Sequence, residues 1–248
     1  MKLETRLKTV QNRIAEAALR AGRNPADVTL VGVSKFHPAA KMLMAYRAGL
    51  RHFGENRVEE ITAKIPDFLA QVDPADPPEI HMIGRLQSRK VPHVLPHVQM
   101  IESVDTVKLA LRINRIIHRD DLPRMPILLE CNISGEATKA GFPVFGWETD
   151  EAVRAAFCAA VEEIHLQTGI EIRGLMTMAP IVDNPEETRP IFAGLRRLMA
   201  FCAERIPQVK WEHLSMGMTD DFEIAVEEGA TIVRIGRAIF GERETRDA

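Results

Sequence analysis

The hydrophobic positions change period along the chain. Leu3, Leu7, Val10, Ile14, Ala17 and Leu19 recur mostly at three- and four-residue steps with charges between them, which predicts an amphipathic helix that Gly22 can stop. VTLVGVSK (28–35) follows, an apolar, β-branched run between Pro25 and Pro38, and then the helical stretch AAKMLMAYRAG, with Pro38 suited to a first helical turn. The alternation repeats as RHFGEN (51–56) into VEEITAKIPDFLA, EIHMIG (79–84) into LQSRKVPHVL, and QMIESVD (99–105) into TVKLALRINRIIHR. ILLECNIS (127–134) leads through a long loop into EAVRAAFCAAVEEIHLQTG, and EIRGLMTMA (171–179) precedes a helix at 186–204. EHLSMGM (212–218) precedes DDFEIAVEEG, and TIVRIG (231–236) precedes a short terminal turn.

Eight strand-helix rounds in 248 residues imply parallel pairing through right-handed crossovers. They favour a single (β/α)8 TIM barrel with an additional N-terminal helix, 1–248 forming one domain, over an open doubly wound sheet. The Pro- and Asp-rich VDPADPPE (72–79) reads as a loop on the bottom face, because the alternation continues across it.

Composition narrows the setting. With 46% hydrophobic and 27% charged residues there is material for a large core, and a net charge of -3 leaves no electrostatic footprint for nucleic acid. Cys131, Cys158 and Cys202 are far apart, odd in number and without C-x-x-C spacing, as expected in a reducing compartment and against a structural zinc site. Charges interrupt the first helix, so it does not resemble a signal peptide, and no apolar run of about 18 residues could span a bilayer. The expectation is a soluble cytoplasmic protein without membrane contact.

In a barrel the chemistry sits where strands end. That rim comprises Ser34-Lys35, Gly54-Glu55-Asn56, His81 with Gly84, Asn132 with Ser134-Gly135, Met176 and Met178, Ser215-Met216-Gly217, and Arg234-Ile235-Gly236. Lys35 is the only lysine predicted at a strand's carboxyl end, where loss of water would lower its pKa and leave an amine able to attack an aldehyde. Alone, such a lysine reads first as one lifting its ammonium into solvent, and only its company on the rim favours the reactive amine. Ser215, Gly217 and Gly236 lie on the two loops where barrels commonly bind phosphate through backbone N–H groups, although glycines also serve simple turns. Arg234, two residues before Gly236, shares its side of the strand and points into the barrel, where a core carboxylate such as Glu130 or a ligand ring nitrogen could partner it. Reactive lysine, phosphate loops and arginine together describe pyridoxal phosphate. Asn56, His81 and Asn132 offer hydrogen bonds to such a ligand or to the fold; Lys139 is a second amine or a solvated loop charge; Met176, Met178, Met216 and Met218 suit core or pocket lining.

These stretches resemble the YggS/PROSC-type pyridoxal phosphate homeostasis proteins, from VSKFHP through HFGENRVEE, HMIGRLQSRK, CNISGEATKAGF and GLMTMAP to LSMGMTDDFEIAVEEGATIVRIGRAIFG. The resemblance implies a single barrel like the N-terminal domain of alanine racemase, carrying pyridoxal phosphate as an imine on Lys35. It implies that Arg234 faces the pyridine nitrogen and that Ser215, Gly217, Gly236 and the backbone of Arg237 hold the phosphate. Asn56, His81 and Gly84 would line the pocket, with Met216 beside the ring. Arg57 departs from the aromatic residue that usually follows GEN, and Arg89 from the asparagine of LQSNK.

An arginine at the pyridine nitrogen leaves it unprotonated and weakens the ring as an electron sink. Three functions are open: a carrier with little or no turnover that supplies pyridoxal phosphate to apo-enzymes; an amino-acid racemase of the alanine racemase type; and a Schiff-base aldolase without a cofactor. Alanine racemases add a second domain bearing a tyrosine acid-base partner, whereas the single tyrosine here, Tyr46, is predicted in a helix away from the rim. By the same analogy the expected state is a monomer.

Overall fold

The alternation closes on itself in a computed structural model of the chain, which describes residues 2–242. The strands are β1 (Thr29–Val33), β2 (His52–Glu55), β3 (Glu79–Met82), β4 (Met100–Val104), β5 (Met125–Asn132), β6 (Phe142–Pro143), β7 (Ile170–Met176), β8 (His213–Ser215) and β9 (Ile232–Ile235). All pairings are parallel; β1 lies between β2 and β9, and β4 pairs with β5 to close an eight-stranded barrel. The expected barrel is therefore the observed one. The two-residue β6, inside a stretch expected to be loop, adds to β5 beyond the barrel through Cys131 and Asn132.

Around the strands run α1 (Leu3–Arg20), α2 (Ala39–Arg47), α3 (Val58–Leu69), α4 (Val91–Val94), α5 (Val107–Arg119), α6 (Glu151–His165), α7 (Arg189–Arg205), α8 (Phe222–Glu227) and α9 (Arg237–Phe240). Local chemistry sets several starts: Thr106 caps α5 by accepting from Leu109 N, and Asp150 caps α6 by accepting from Ala152 N and Val153 N. LQSRKVPHVL was expected to be one helix, but Pro92 and Pro96 remove two backbone donors and divide it into a single α-turn, α4, between two 3-10 turns. The helix expected at 186–204 likewise opens with a 3-10 turn at Pro185–Thr188 before α7. The N-terminal α1 packs on α2, α8 and α9, and is tied there by the two-pronged Arg13–Glu223 pair at 3.1 Å.

Two apolar layers result. Phe53, Ile61, Ile65 and Phe68 belong to the large core between strands and helices, while Val31, Met100, Leu128, Met176 and Ile232 form a separate cluster inside the barrel. Cys131 and Cys202 are buried thiols and Cys158 is half-buried; none of the three is in a disulfide.

Gly174 is required where β7 passes β8. Its φ is +151°, and a Cβ there would stand 1.9 Å from the His213 carbonyl oxygen of the paired strand. Gly174→Ala is expected to lower stability by about 2–4 kcal/mol, combining backbone strain with overpacking, as read from the urea midpoint.

Candidate functional site at the C-terminal mouth

Ser34 and Lys35 follow β1 directly, and Lys35 shares the parity of Val31, whose side chain is in the interior cluster. Ser34 is fully buried and Lys35 half-buried. The chain then turns sharply, with His37 N donating to Ser34 O at 3.0 Å and Phe36 at φ 66°, a left-handed conformation that costs a bulky residue about 1–2 kcal/mol. Contacts from β2 and α3 hold that turn. Phe36 N donates to Glu60 Oε2 at 2.6 Å, and Lys64 Nζ donates to Ser34 O at 2.9 Å and His37 O at 3.1 Å. Arg57, the residue that departs from the related pattern, lays its guanidinium over the Phe36 ring at 4.7 Å. Glu55 sits beneath, accepting from the Ser34 hydroxyl at 2.5 Å and lying 2.7 Å from Lys64 Nζ. Burial raises the Glu55 carboxyl, against the pull of Lys64 and Ser34.

A second network crosses the barrel interior. Glu102, fully buried in the middle of β4, receives His81 Nδ1 at 2.6 Å on one oxygen and the Ser215 hydroxyl at 2.5 Å on the other. Arg234, 4% exposed, donates through one terminal nitrogen to Ser215 Oγ and through the other to Thr177 O at 2.9 Å, with Glu102 at 3.8 Å. A guanidinium has five N–H donors, so further donors remain for a ligand acceptor. Glu130, one of the two alternative partners considered for Arg234, makes no ion pair with it among the described residues, although its charge is felt there. Burial, with Asp105 adding, raises Glu130 to about 7.

These groups predict a pH dependence of stability. Burial works to lower His81, but its hydrogen bond to Glu102 and the nearby Glu79 carboxylate win and raise it from 6.5 to about 9. A raised folded-state value means stability that is complete below 6.5 and lost as pH rises through about 9. Glu130 acts in the same direction between its ordinary 4.5 and about 7, because the folded state keeps a proton that the unfolded state releases. Urea midpoints measured from pH 6.5 to pH 9 are expected to fall, and to fall less in His81→Gln.

The loops after β8 and β9 supply the third element. Gly217 has φ 93°, and a Cβ there would stand 2.6 Å from Ala225 Cβ, so the backbone turns tightly against α8. Gly236 separates β9 from α9. The N–H groups of Gly217, Gly236 and Arg237 donate to no backbone acceptor among the described residues. The Arg237 side chain turns outward to Asp220 at 2.7 and 2.8 Å. A cavity of about 580 Å3 opens alongside, lined in part by Met218, Thr219, Asp220, Arg237 and Ile181.

The structure thus brings Lys35, Asn56, Gly84, Met216, Gly217, Gly236 and Arg237 to the C-terminal ends of β1, β2, β3, β8 and β9. Gly84 packs against Asn56, where a Cβ would meet the Asn56 carbonyl oxygen at 2.4 Å, and the Asn56 side chain keeps a buried oxygen without a hydrogen-bond partner. His81 and Ser215 lie deeper, their side chains committed to Glu102; the Ser215 hydroxyl gives its one proton there and accepts from Arg234. Asn132 organises its own loop, accepting from Gly135 N and donating to Glu136 O, both at 2.9 Å. Lys139 pairs with Glu136 and donates to Met178 O at 3.1 Å. Met216 is fully buried in the outer core and Met176 in the interior cluster.

Sequence reasoning missed Glu102, Glu55 as a partner of Ser34, and Lys64. Glu102 leaves a trace, a carboxylate at the centre of MIESV on the parity of Met100; Lys64 leaves none, being one charge among several on a helix.

The alanine racemase N-terminal domain family matches residues 6–244. A pyridoxal phosphate homeostasis protein of Aquifex aeolicus is 39% identical over 96% of this chain and 97% of its own. The structure of PipY of Synechococcus elongatus with pyridoxal phosphate bound superposes with a TM-score of 0.79 at 34% identity, covering 97% of this chain and all (100%) of that one. An alanine racemase of Clostridium difficile shares the fold alone, with a TM-score of 0.67 at 14% identity, over 99% of this chain and 58% of that chain. With full-length similarity to the first two and fold-level likeness to the third, the chain belongs to the pyridoxal phosphate homeostasis proteins, within the alanine racemase N-terminal domain family.

Proposed function

We propose that this protein binds pyridoxal phosphate at the C-terminal mouth, with Lys35 as the covalent attachment point, and keeps it available to other proteins with little or no turnover. The observation that carries this reading is the convergence of three complementary groups on one end of the barrel. These are a half-buried amine on a braced turn, a buried guanidinium with unused donors, and glycine loops presenting N–H groups. The unpartnered oxygen of Asn56 adds a buried acceptor beside Gly84. Lys35 would hold the aldehyde end, Arg234 the ring nitrogen, and the backbone of Gly217, Gly236 and Arg237 the phosphate. Bound pyridoxal phosphate supplies an aldehyde carbon that takes up amines and a ring that withdraws electrons. Arg234 moderates that withdrawal, because a guanidinium does not give up its proton to the ring.

Low turnover is supported by the position of Tyr46. Its hydroxyl donates to Asp76 O at 3.0 Å and accepts from Asp73 N at 3.2 Å, in the loop leading into the start of β3 and so at the opposite end of the barrel from Lys35. It cannot exchange protons at the C-terminal mouth. The test pairs two measurements on the loaded protein. Mixing with an apo-enzyme that requires pyridoxal phosphate should restore that enzyme's activity, and incubation with L- and D-amino acids in D2O should give no α-deuterium above the protein-free blank. Sustained α-deuteration over many turnovers would replace the carrier reading with racemase chemistry. The proposal places the protein in the cytoplasm as a monomer; light scattering of the loaded protein checks the latter.

A further inference from the structure

We infer that the N-terminal mouth of the barrel, opposite Lys35, binds a zinc-class divalent cation through His52 Nδ1, His81 Nε2 and Glu79 Oε2. The site follows from strand register: His52 and Glu79 are paired first residues of β2 and β3, and His81, two residues on, returns to the same side. Their ligand atoms form a triangle with edges of 3.3 Å between the two nitrogens and 3.6 and 3.7 Å from these to the carboxylate oxygen. One proton can bridge the nitrogens, but the other two edges are too long for hydrogen bonds. In a four-coordinate site with bonds of about 2.0–2.2 Å, the ligand atoms lie about 3.3–3.6 Å apart, and a point about 2.1 Å from all three atoms exists here close to their plane.

The surroundings match a metal site in two further respects. Glu102 takes the Nδ1 side of His81 at 2.6 Å, which orients the ring and directs Nε2 at the cluster, the carboxylate–histidine arrangement that supports metal ligands. Access is open, since the side chains of His52 and Glu79 are 31% and 53% exposed while His81 is 2% exposed. His52 also lines a cavity of about 300 Å3 between α1 and the starts of β1 and β2. Two imidazoles and one carboxylate select zinc, copper, nickel or cobalt over magnesium or calcium, with a solvent position left to complete the coordination. This inference does not depend on the pyridoxal phosphate reading.

The experiment titrates untagged, chelator-stripped full-length protein with Zn2+ against a chromophoric chelator, and with Co2+ by visible absorption. The expected result is one equivalent per chain, unaffected by excess Mg2+, with the intense bands of four-coordinate Co2+. His52→Ala and Glu79→Gln should each weaken Zn2+ binding at least about 100-fold, the upper end of what outer-shell changes alone produce. Cys158→Ser should leave it unchanged. Glu79→Gln preserves side-chain shape, and circular dichroism checks that both variants fold. Absence of a saturable equivalent, or unchanged affinity in folded His52→Ala and Glu79→Gln, would overturn the assignment.

Discussion

Lys35→Ala protein, saturated with pyridoxal phosphate and reduced with borohydride, is expected to carry no pyridoxyl group, whereas the wild type carries one per chain on Lys35. The contrast should be complete, not graded, because Lys35 directly follows β1 at the mouth while Lys64 and Lys139 are anchored by other residues. Lys64 donates to two carbonyls, those of Ser34 and His37, and pairs with Glu55 and Glu60, which anchors its side chain. Lys139 is engaged by Glu136 and the Met178 carbonyl. In the alanine variant the turn keeps the hydrogen bonds made by the backbone of Ser34, Phe36 and His37. Peptide mapping decides the matter: stoichiometric label on Lys64 or Lys139 in either protein would remove Lys35 from its role.

The second large effect concerns stability. Glu102→Ala is expected to lower the unfolding free energy by about 3–5 kcal/mol in urea, the usual consequence of leaving a buried charge unpaired. Arg234 would keep only Ser215 and the Thr177 carbonyl, and both His81 Nδ1 and the Ser215 hydroxyl would lose their acceptor. Should the alanine variant not fold, Glu102→Gln retains acceptor and donor atoms but removes the charge, and should show a smaller loss together with weaker cofactor retention through a displaced Arg234. A loss below about 1 kcal/mol in either folded variant would mean that the network contributes little.

Both expectations rest on features of different legibility. The barrel is readable because period-two strands and period-3.6 helices leave local traces, and eight alternations allow few topologies. Lys35 is readable because it ends an apolar strand, and Arg234 because its parity relative to Gly236 turns it inward. The interruption at α4 was written in Pro92 and Pro96, whose missing donors outweighed an otherwise helical pattern. Two-residue β6 has too short a pattern to be separated from loop.

The sequence by itself determined the order of strands and helices, the rim on which the candidate chemistry sits, and the family motifs on which the proposed role of Lys35 rests. Tertiary structure alone decided who partners whom. His81, Glu102, Ser215 and Arg234 come from β3, β4, β8 and β9, and their side chains meet only once the sheet has closed, so no local spacing encodes that Glu102, not Glu130, makes the ion pair with Arg234. Closure likewise commits the Ser215 hydroxyl to the interior, brings Lys64 under the Lys35 turn, and gathers His52, Glu79 and His81 at the opposite mouth. Period and propensity are properties of neighbouring residues along the chain; pairing of buried polar groups is set by desolvation, which acts on whatever the fold encloses.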